Sequence, residues 1–154
     1  GVRVIDDYAH HPTEIEALLR TARGVAQERG GRVLVLFQPH LFSRTRAFAD
    51  RFGQALALAD AVVVTDVYPA RETQADFPGV TGDTVAQRVP GGRARFVAER
   101  LDAARAVADS ARPGDLLLTV GAGDVTELAA TALADLAVRE GGAASLPAER
   151  GERA

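Results

Sequence analysis

The 154 residues predict an α/β fold, a mostly parallel sheet in three layers with helices on both faces, Rossmann-like in organisation. Three observations carry that expectation. Val33 to Phe37, Ala61 to Thr65 and Leu116 to Val120 are continuous β-branched and aliphatic runs, the pattern of strands covered on both faces. The segments between them place apolar residues at three-and-four spacing, the period of a helix with one buried face. Strand and helix patterns alternate along the whole chain, which suits parallel strands joined by right-handed crossovers.

In order, Val2 to Ile5 reads as the first strand, followed by Asp6-Asp7-Tyr8-Ala9-His10-His11-Pro12-Thr13-Glu14. Pro12 suits a first helical position, because its fixed φ is helical and its missing N–H would be unpaired there. Ile15, Leu18, Leu19, Ala22, Val25 and Ala26 give the helix from Pro12 to about Glu28 its buried face, and Gly30-Gly31 ends it. After the Val33–Phe37 strand, Gln38-Pro39-His40 leads into a second helix with Ser43 as its cap and Phe48, Phe52, Ala55, Leu56 and Ala59 inward. The Ala61–Thr65 strand precedes a connection from Asp66 to Gly82 that is longer than linking elements requires. A short helix near Asp83 to Val89, a strand around Arg95 to Val97 and a helix with Leu101, Ala104, Ala108 and Ala111 inward follow, stopped by Pro113-Gly114. Beyond the Leu116–Val120 strand, Gly121-Ala122-Gly123 opens a helix with Asp124 and Glu127 at capping-box spacing and Val125, Leu128, Ala129, Ala132, Leu133 and Leu136 inward. One domain over residues 1–140 is expected, with 141–154 as an aperiodic, disordered tail.

Composition narrows the function classes. With 47% hydrophobic residues the chain fills a core without metal or disulfide staples. A net charge of -3 supplies no basic field for nucleic acid or an acidic membrane. There is no cysteine, hence no thiolate nucleophile and no cysteine-based zinc site, and a reducing cytoplasm fits. No run approaches the roughly 18 apolar residues of a membrane span. The chain has no methionine and opens directly on a strand, which predicts a domain from a longer protein.

The chemistry gathers at strand ends, where open α/β sheets bind ligands. Arg44 and Arg46 stand in the first turn of the second helix, where the macrodipole favours acids. Beside His40 they suggest a site for a carboxylate or phosphate; the competing reading turns both arginines back to surface acids such as Asp50. His10 and His11 read as one helix cap and one half-buried ring, or as site residues; a zinc site built on them would have only His40 as a third nitrogen ligand, so no metal is assigned. Asp6 and Asp7 read as turn residues, or one of them as a ribose ligand. Gly121-Ala122-Gly123 lacks the third glycine of a dinucleotide loop and the lysine of a P-loop, so close approach to a neighbouring loop or a ligand is the reading it supports.

Asp6 to Glu14, Gln38-Pro39-His40 with Ser43-Arg44-Thr45, Asp66-Val67-Tyr68 and Gly121-Ala122-Gly123 together carry a resemblance over residues 2–138. The chain resembles the C-terminal domain of the Mur ligases, in the branch that joins L-alanine to UDP-N-acetylmuramate. The resemblance implies an ATP-dependent, amide-forming ligase of peptidoglycan biosynthesis, in which ATP phosphorylates the lactyl carboxylate and the alanine amine then attacks the acyl phosphate. It places the P-loop and most contacts to Mg2+ and the UDP-sugar in preceding N-terminal and central domains, so this chain alone is expected to be inactive and monomeric. It assigns His11 and His40 catalytic roles, His40, Arg44, Arg46 and His10 to L-alanine, Asp7 and Tyr8 to ATP, and looser loop contacts to Gly121, Ala122, Gly123 and Glu72. The chain departs from the family at Leu41, commonly arginine, and at Arg71, commonly glycine. A different class, a non-catalytic α/β module that docks a nucleotide or other anion, is the alternative.

Overall fold

The computed structural model describes residues 1–144, with side chains through Gly141. Five strands, β1 (Arg3–Asp7), β2 (Val33–Phe37), β3 (Ala61–Val64), β4 (Ala94–Phe96) and β5 (Leu116–Val120), form one all-parallel sheet in the order β1-β5-β2-β3-β4. Helices α1 (Pro12–Glu28), α2 (Phe42–Ala47), α3 (Ala49–Leu56), α4 (Asp83–Ala86), α5 (Arg100–Ser110) and α6 (Thr126–Ala144) complete the three-layer fold that the alternation predicts.

The central strands read as unbroken apolar runs because both faces are covered. Val33, Val35 and Phe37 point into the layer of α1, α3 and α4, while Leu34 and Leu36 point into the layer of α5 and α6. Leu116 and Leu118 share the first core and Leu117 the second. Full burial of each such side chain is worth about 1.5–3 kcal/mol relative to exposure. Among the described residues no helix is long and apolar enough to cross a membrane.

Several local expectations change. β1 runs two residues further than the apolar stretch, through Asp6 and Asp7, because Asp6 accepts hydrogen bonds from Thr119 Oγ1 (2.6 Å) and Thr126 Oγ1 (2.5 Å) and ties β1 to β5 and α6. The second helix is two helices: Phe48 leaves the helical region (φ -116°, ψ 18°) and packs against the His11 ring. Ser43 lies inside α2; the cap position is Leu41, with no side-chain hydrogen bond. Leu101 is 39% exposed, and Ala103, Ala104, Val107 and Ala108 make the buried face of α5 instead. α6 begins at Thr126 rather than at the glycines, and the Asp124 carboxylate binds Gln38 and Arg100 in place of capping. α6 extends to Ala144, so the helix takes in the first residues of the expected tail; residues 145–154 lie outside the described residues.

Sheet register positions the site. Asp7, Val120 and Phe37 are paired across β1, β5 and β2, and Phe37 pairs with Val64, so four strands end at one level. The next residue on each, Tyr8, Gly121, Gln38 and Thr65, begins the loops of the carboxyl edge.

Candidate functional site

Four rings cross that edge in sequence. Tyr8 meets His10 edge-on at 5.2 Å between centroids, His10 meets His40 at 6.2 Å, and His40 stacks on Tyr68 at 5.6 Å with 15° between planes. β5 lies between β1 and β2 and is followed by glycine, so no side chain at Gly121 enters that gap. A Cβ at Gly121 would fall 2.8 Å from the Gln38 carbonyl oxygen, and one at Gly123 would fall 2.6 Å from Tyr68 Cγ. The glycines thus make room for neighbouring protein, the cautious reading of that motif.

The two histidines of the row carry opposite tautomers when neutral. His10 Nδ1 lies 3.0 Å from the Tyr8 carbonyl oxygen, which only accepts, so Nδ1–H donates and Nε2 keeps a free lone pair. Arg44 only donates, so its 3.4 Å contact to His40 Nδ1 makes that nitrogen the acceptor and leaves the hydrogen on Nε2. Burial, then the Arg44, His10 and Arg71 charges, hold the His40 pKa below its ordinary value, while Glu72 pulls the other way. The site therefore offers a ring acceptor on His10, a ring donor on His40 and a partly buried guanidinium.

His11 is not in this row. Its ring accepts from Thr13 N–H at 3.5 Å, caps α1 and packs on Phe48, while Glu14 Oε1 accepts from the backbone N–H of His10 and His11. The expected catalytic pair of His11 and His40 is thus not brought together; His10 and His40 are. Arg46 also stands apart, its guanidinium 4.9 Å above the Phe77 ring. Asp50 pairs with Arg88 at 2.6 Å, so neither arginine of α2 turns back to it.

The positive mouth expected on the second helix takes a different form. α2 has six residues, so Arg44 and Arg46 also occupy its last turn, where cations are favoured. At its start, Ser43 N–H donates to Glu72 Oε1 at 3.0 Å, and hydrogen bonds from Ser43 and Phe42 hold the Glu72 pKa down against desolvation. The protein's own carboxylate occupies that terminus, and any ligand anion is left to Arg44.

Asp7 and Tyr8 line a separate open hollow of about 490 Å³ with Glu14, Ala17 and Leu18. Asp7 Oδ1 accepts from Ala9 N–H at 2.9 Å, and no other protein contact among the described residues engages the carboxylate. Tyr8 is 69% exposed on the rim.

Gln38 has a part that its sequence position did not reveal. It is 4% exposed, accepts from Val125 N–H at 3.2 Å and donates to Asp124 at 2.7 Å, locking the glycine loop to the end of β2. The sequence shows only a glutamine directly after a strand; its burial, which is what demands partners for the amide, appears in the structure alone.

Fold and site define an open α/β domain whose uncommitted polar groups gather at the carboxyl edge of a parallel sheet. Residues 1–123 match the family model described as Mur ligase, glutamate ligase domain. The UDP-N-acetylmuramate–L-alanine ligase of Kineococcus radiotolerans is 64% identical over 141 residues, 90% of this chain and 29% of that protein. The enzyme of the same name from Cutibacterium acnes is 57% identical over 127 residues, 81% of this chain and 26% of the relative. A crystal structure of the UDP-N-acetylmuramate-alanine ligase of Thermotoga maritima superposes with a TM-score of 0.65 at 32% identity, over 92% of this chain and 27% of that one. The chain belongs to the Mur ligase family, as its C-terminal domain. It spans less than a third of the length of these relatives.

Proposed function

We propose that this chain is the amino-acid-binding and ATP-clamping domain of a cytoplasmic ATP-dependent ligase that joins L-alanine to UDP-N-acetylmuramate in peptidoglycan biosynthesis. One observation carries the reading: the His10–His40–Arg44 cluster and the Asp7–Tyr8 hollow share one edge of the sheet and meet at the Tyr8–His10 ring contact. A free amino acid presents one carboxylate, which a planar guanidinium grips with two parallel hydrogen bonds, so Arg44 takes the alanine carboxylate. Lysine is a point charge and substitutes poorly there. His10 Nε2 accepts a proton from the ammonium, which frees the amine to attack the acyl phosphate; the C–N bond forms to give a tetrahedral intermediate, whose collapse breaks the C–O bond to phosphate, and the departing phosphate takes the second amine proton. His40 Nε2–H donates to the oxyanion that develops as the amine attacks. This moves to His10 the catalytic role that the resemblance gave to His11, since the His11 ring is engaged with α1. Asp7 accepts from a ribose hydroxyl of ATP, with the Tyr8 ring alongside.

Among the described residues no group of three or more His, Cys, Asp or Glu side chains is arranged to hold a metal ion, so no step is derived through Mg2+. That ion and the phosphate loop fall to the preceding domains. The isolated chain is accordingly inactive and binds ATP only in the millimolar range or weaker, about -4 kcal/mol.

Steady-state kinetics on a full-length ligase containing this domain, varying alanine and ATP separately, test the assignment. Arg44→Ala is expected to lower kcat/KM for alanine by about a hundredfold or more with ATP affinity nearly unchanged. Asp7→Ala is expected to raise KM for ATP more than KM for alanine. Near-normal alanine dependence in Arg44→Ala, or the reverse ranking in Asp7→Ala, would sink the respective role.

A further inference from the structure

We infer that Tyr68 is a positioning residue of the amino-acid site: its ring, backed by Gly123, holds the His40 imidazole in the orientation that meets Arg44. The functional consequence rests on the ligase reading above; the positioning itself does not.

Tyr68 is gripped on every side that faces His40. Its backbone N–H donates to the Pro39 carbonyl at 2.8 Å and its carbonyl accepts from Leu41 N–H at 2.9 Å, so the two peptide bonds flanking His40 are tied to it. Its ring stacks on the imidazole, nearly parallel. Against the ring stands Gly123, where a Cβ would lie 2.6 Å from Cγ and 2.8 Å from Cδ2, and 2.7 Å from Gln38 Oε1. Gly123 is not in the left-handed region, so the demand there is for space rather than for a special φ. Gln38 holds that loop in turn, through Val125 N–H and Asp124.

The turn being held is a strained one. Leu41 has φ 72°, a left-handed value that residues with a side chain rarely adopt. Such a turn persists when its surroundings over-determine it, and the two Tyr68 backbone bonds with the Thr45 Oγ1 bond to the Leu41 carbonyl (2.7 Å) do that. The Tyr68 hydroxyl makes no protein hydrogen bond among the described residues, so the ring and not the phenol is what the site uses.

The test uses NMR titration of His40 in this chain and alanine kinetics in the full-length ligase. Burial is the largest cause of the depressed His40 pKa, ahead of the Arg44, His10 and Arg71 charges, with Glu72 opposing. Tyr68→Ala is therefore expected to let the His40 pKa rise toward 6.5, and Tyr68→Phe to leave it where it is. Gly123→Ala presses on the ring without deleting it, and on Gln38 Oε1 beside it, moves the same His40 resonances, and serves if Tyr68→Ala folds poorly. In the ligase, Tyr68→Ala raises KM for alanine about fivefold to tenfold with KM for ATP unchanged, and Tyr68→Phe restores it. A folded Tyr68→Ala or Gly123→Ala chain with unaltered His40 titration overturns the inference, as does a Tyr68→Phe ligase as impaired as Tyr68→Ala. His40 titration that moves while alanine kinetics stay normal leaves the positioning intact and removes His40 from the alanine site.

Discussion

The two ends of this parallel sheet treat charge in opposite ways. At the amino end, Asp115 is 2% exposed and accepts from the backbone N–H of Arg32 (2.8 Å) and of Arg112 (2.9 Å) and from the Arg32 guanidinium (2.7 Å). Arg29 donates to the carbonyls of Gly114 and Gly1 across the same end. Polar groups there are consumed by the protein's own backbone. At the carboxyl end, among the described residues, the Asp7 carboxylate has one short-range backbone partner, Nε2 of His10 and of His40 makes no hydrogen bond to protein, and Arg44 makes one side-chain hydrogen bond, a long one to His40. The lesson is that burial and charge occur at both ends, and only the count of satisfied partners separates the structural end from the functional one.

The largest expected effect breaks the structural end. Asp115→Ala leaves Arg32 without its carboxylate and two backbone N–H groups without an acceptor, and should cost about 3 kcal/mol in urea unfolding. The Asp115 pKa lies below its ordinary 3.8 because hydrogen bonds from Arg32 and Arg112 outweigh the opposing cost of burial. A depressed carboxylate contributes stability that is fully present above 3.8 and is lost as pH falls through the folded value. Asp115→Asn should therefore flatten the acid limb of the stability curve, and an unchanged limb would mean that other carboxylates set it.

Arg44→Ala sharpens the contrast from the other side. Its partner contact is 3.4 Å to a neutral ring, so its loss should change the unfolding free energy by less than about 0.5 kcal/mol. A fall comparable to that of Asp115→Ala would make Arg44 a structural residue and remove it from the alanine site. The same asymmetry accounts for what could be read from residues alone. The central strands, α1 and the parallel order follow from burial on both faces, which leaves a direct periodic trace. The Phe48 break, the Glu72 carboxylate on α2 and the exchange of His11 for His10 depend on contacts between residues far apart in sequence or on a ring rotation. Neither leaves a period. Arg44 stands at a helix start in the sequence, yet α2 is too short for that reason to hold; its place beside His40 depends on the positive-φ turn at Leu41, which leaves no periodic trace.

The smallest expected effect compares the two ends through pH. His40 is held neutral by burial first and then by the Arg44, His10 and Arg71 charges, so its folded pKa lies below 6.5. The sign is opposite to that of the carboxylates in origin but not in direction. Above 6.5 the ring is neutral in both folded and unfolded chains and contributes nothing to the pH dependence. As pH falls below 6.5 the unfolded chain binds a proton that the folded chain resists, so stability declines until the folded pKa is passed. Asp115 cannot contribute in that window, since its own loss begins only below 3.8. Urea midpoints measured between pH 8 and about 5, a range that brackets the histidine transition, should therefore show a shallow fall that disappears in His40→Asn and persists in Asp115→Asn. If His40→Asn keeps the fall, the imidazole is not held neutral by its neighbours, and the donor role given to its Nε2–H loses its basis.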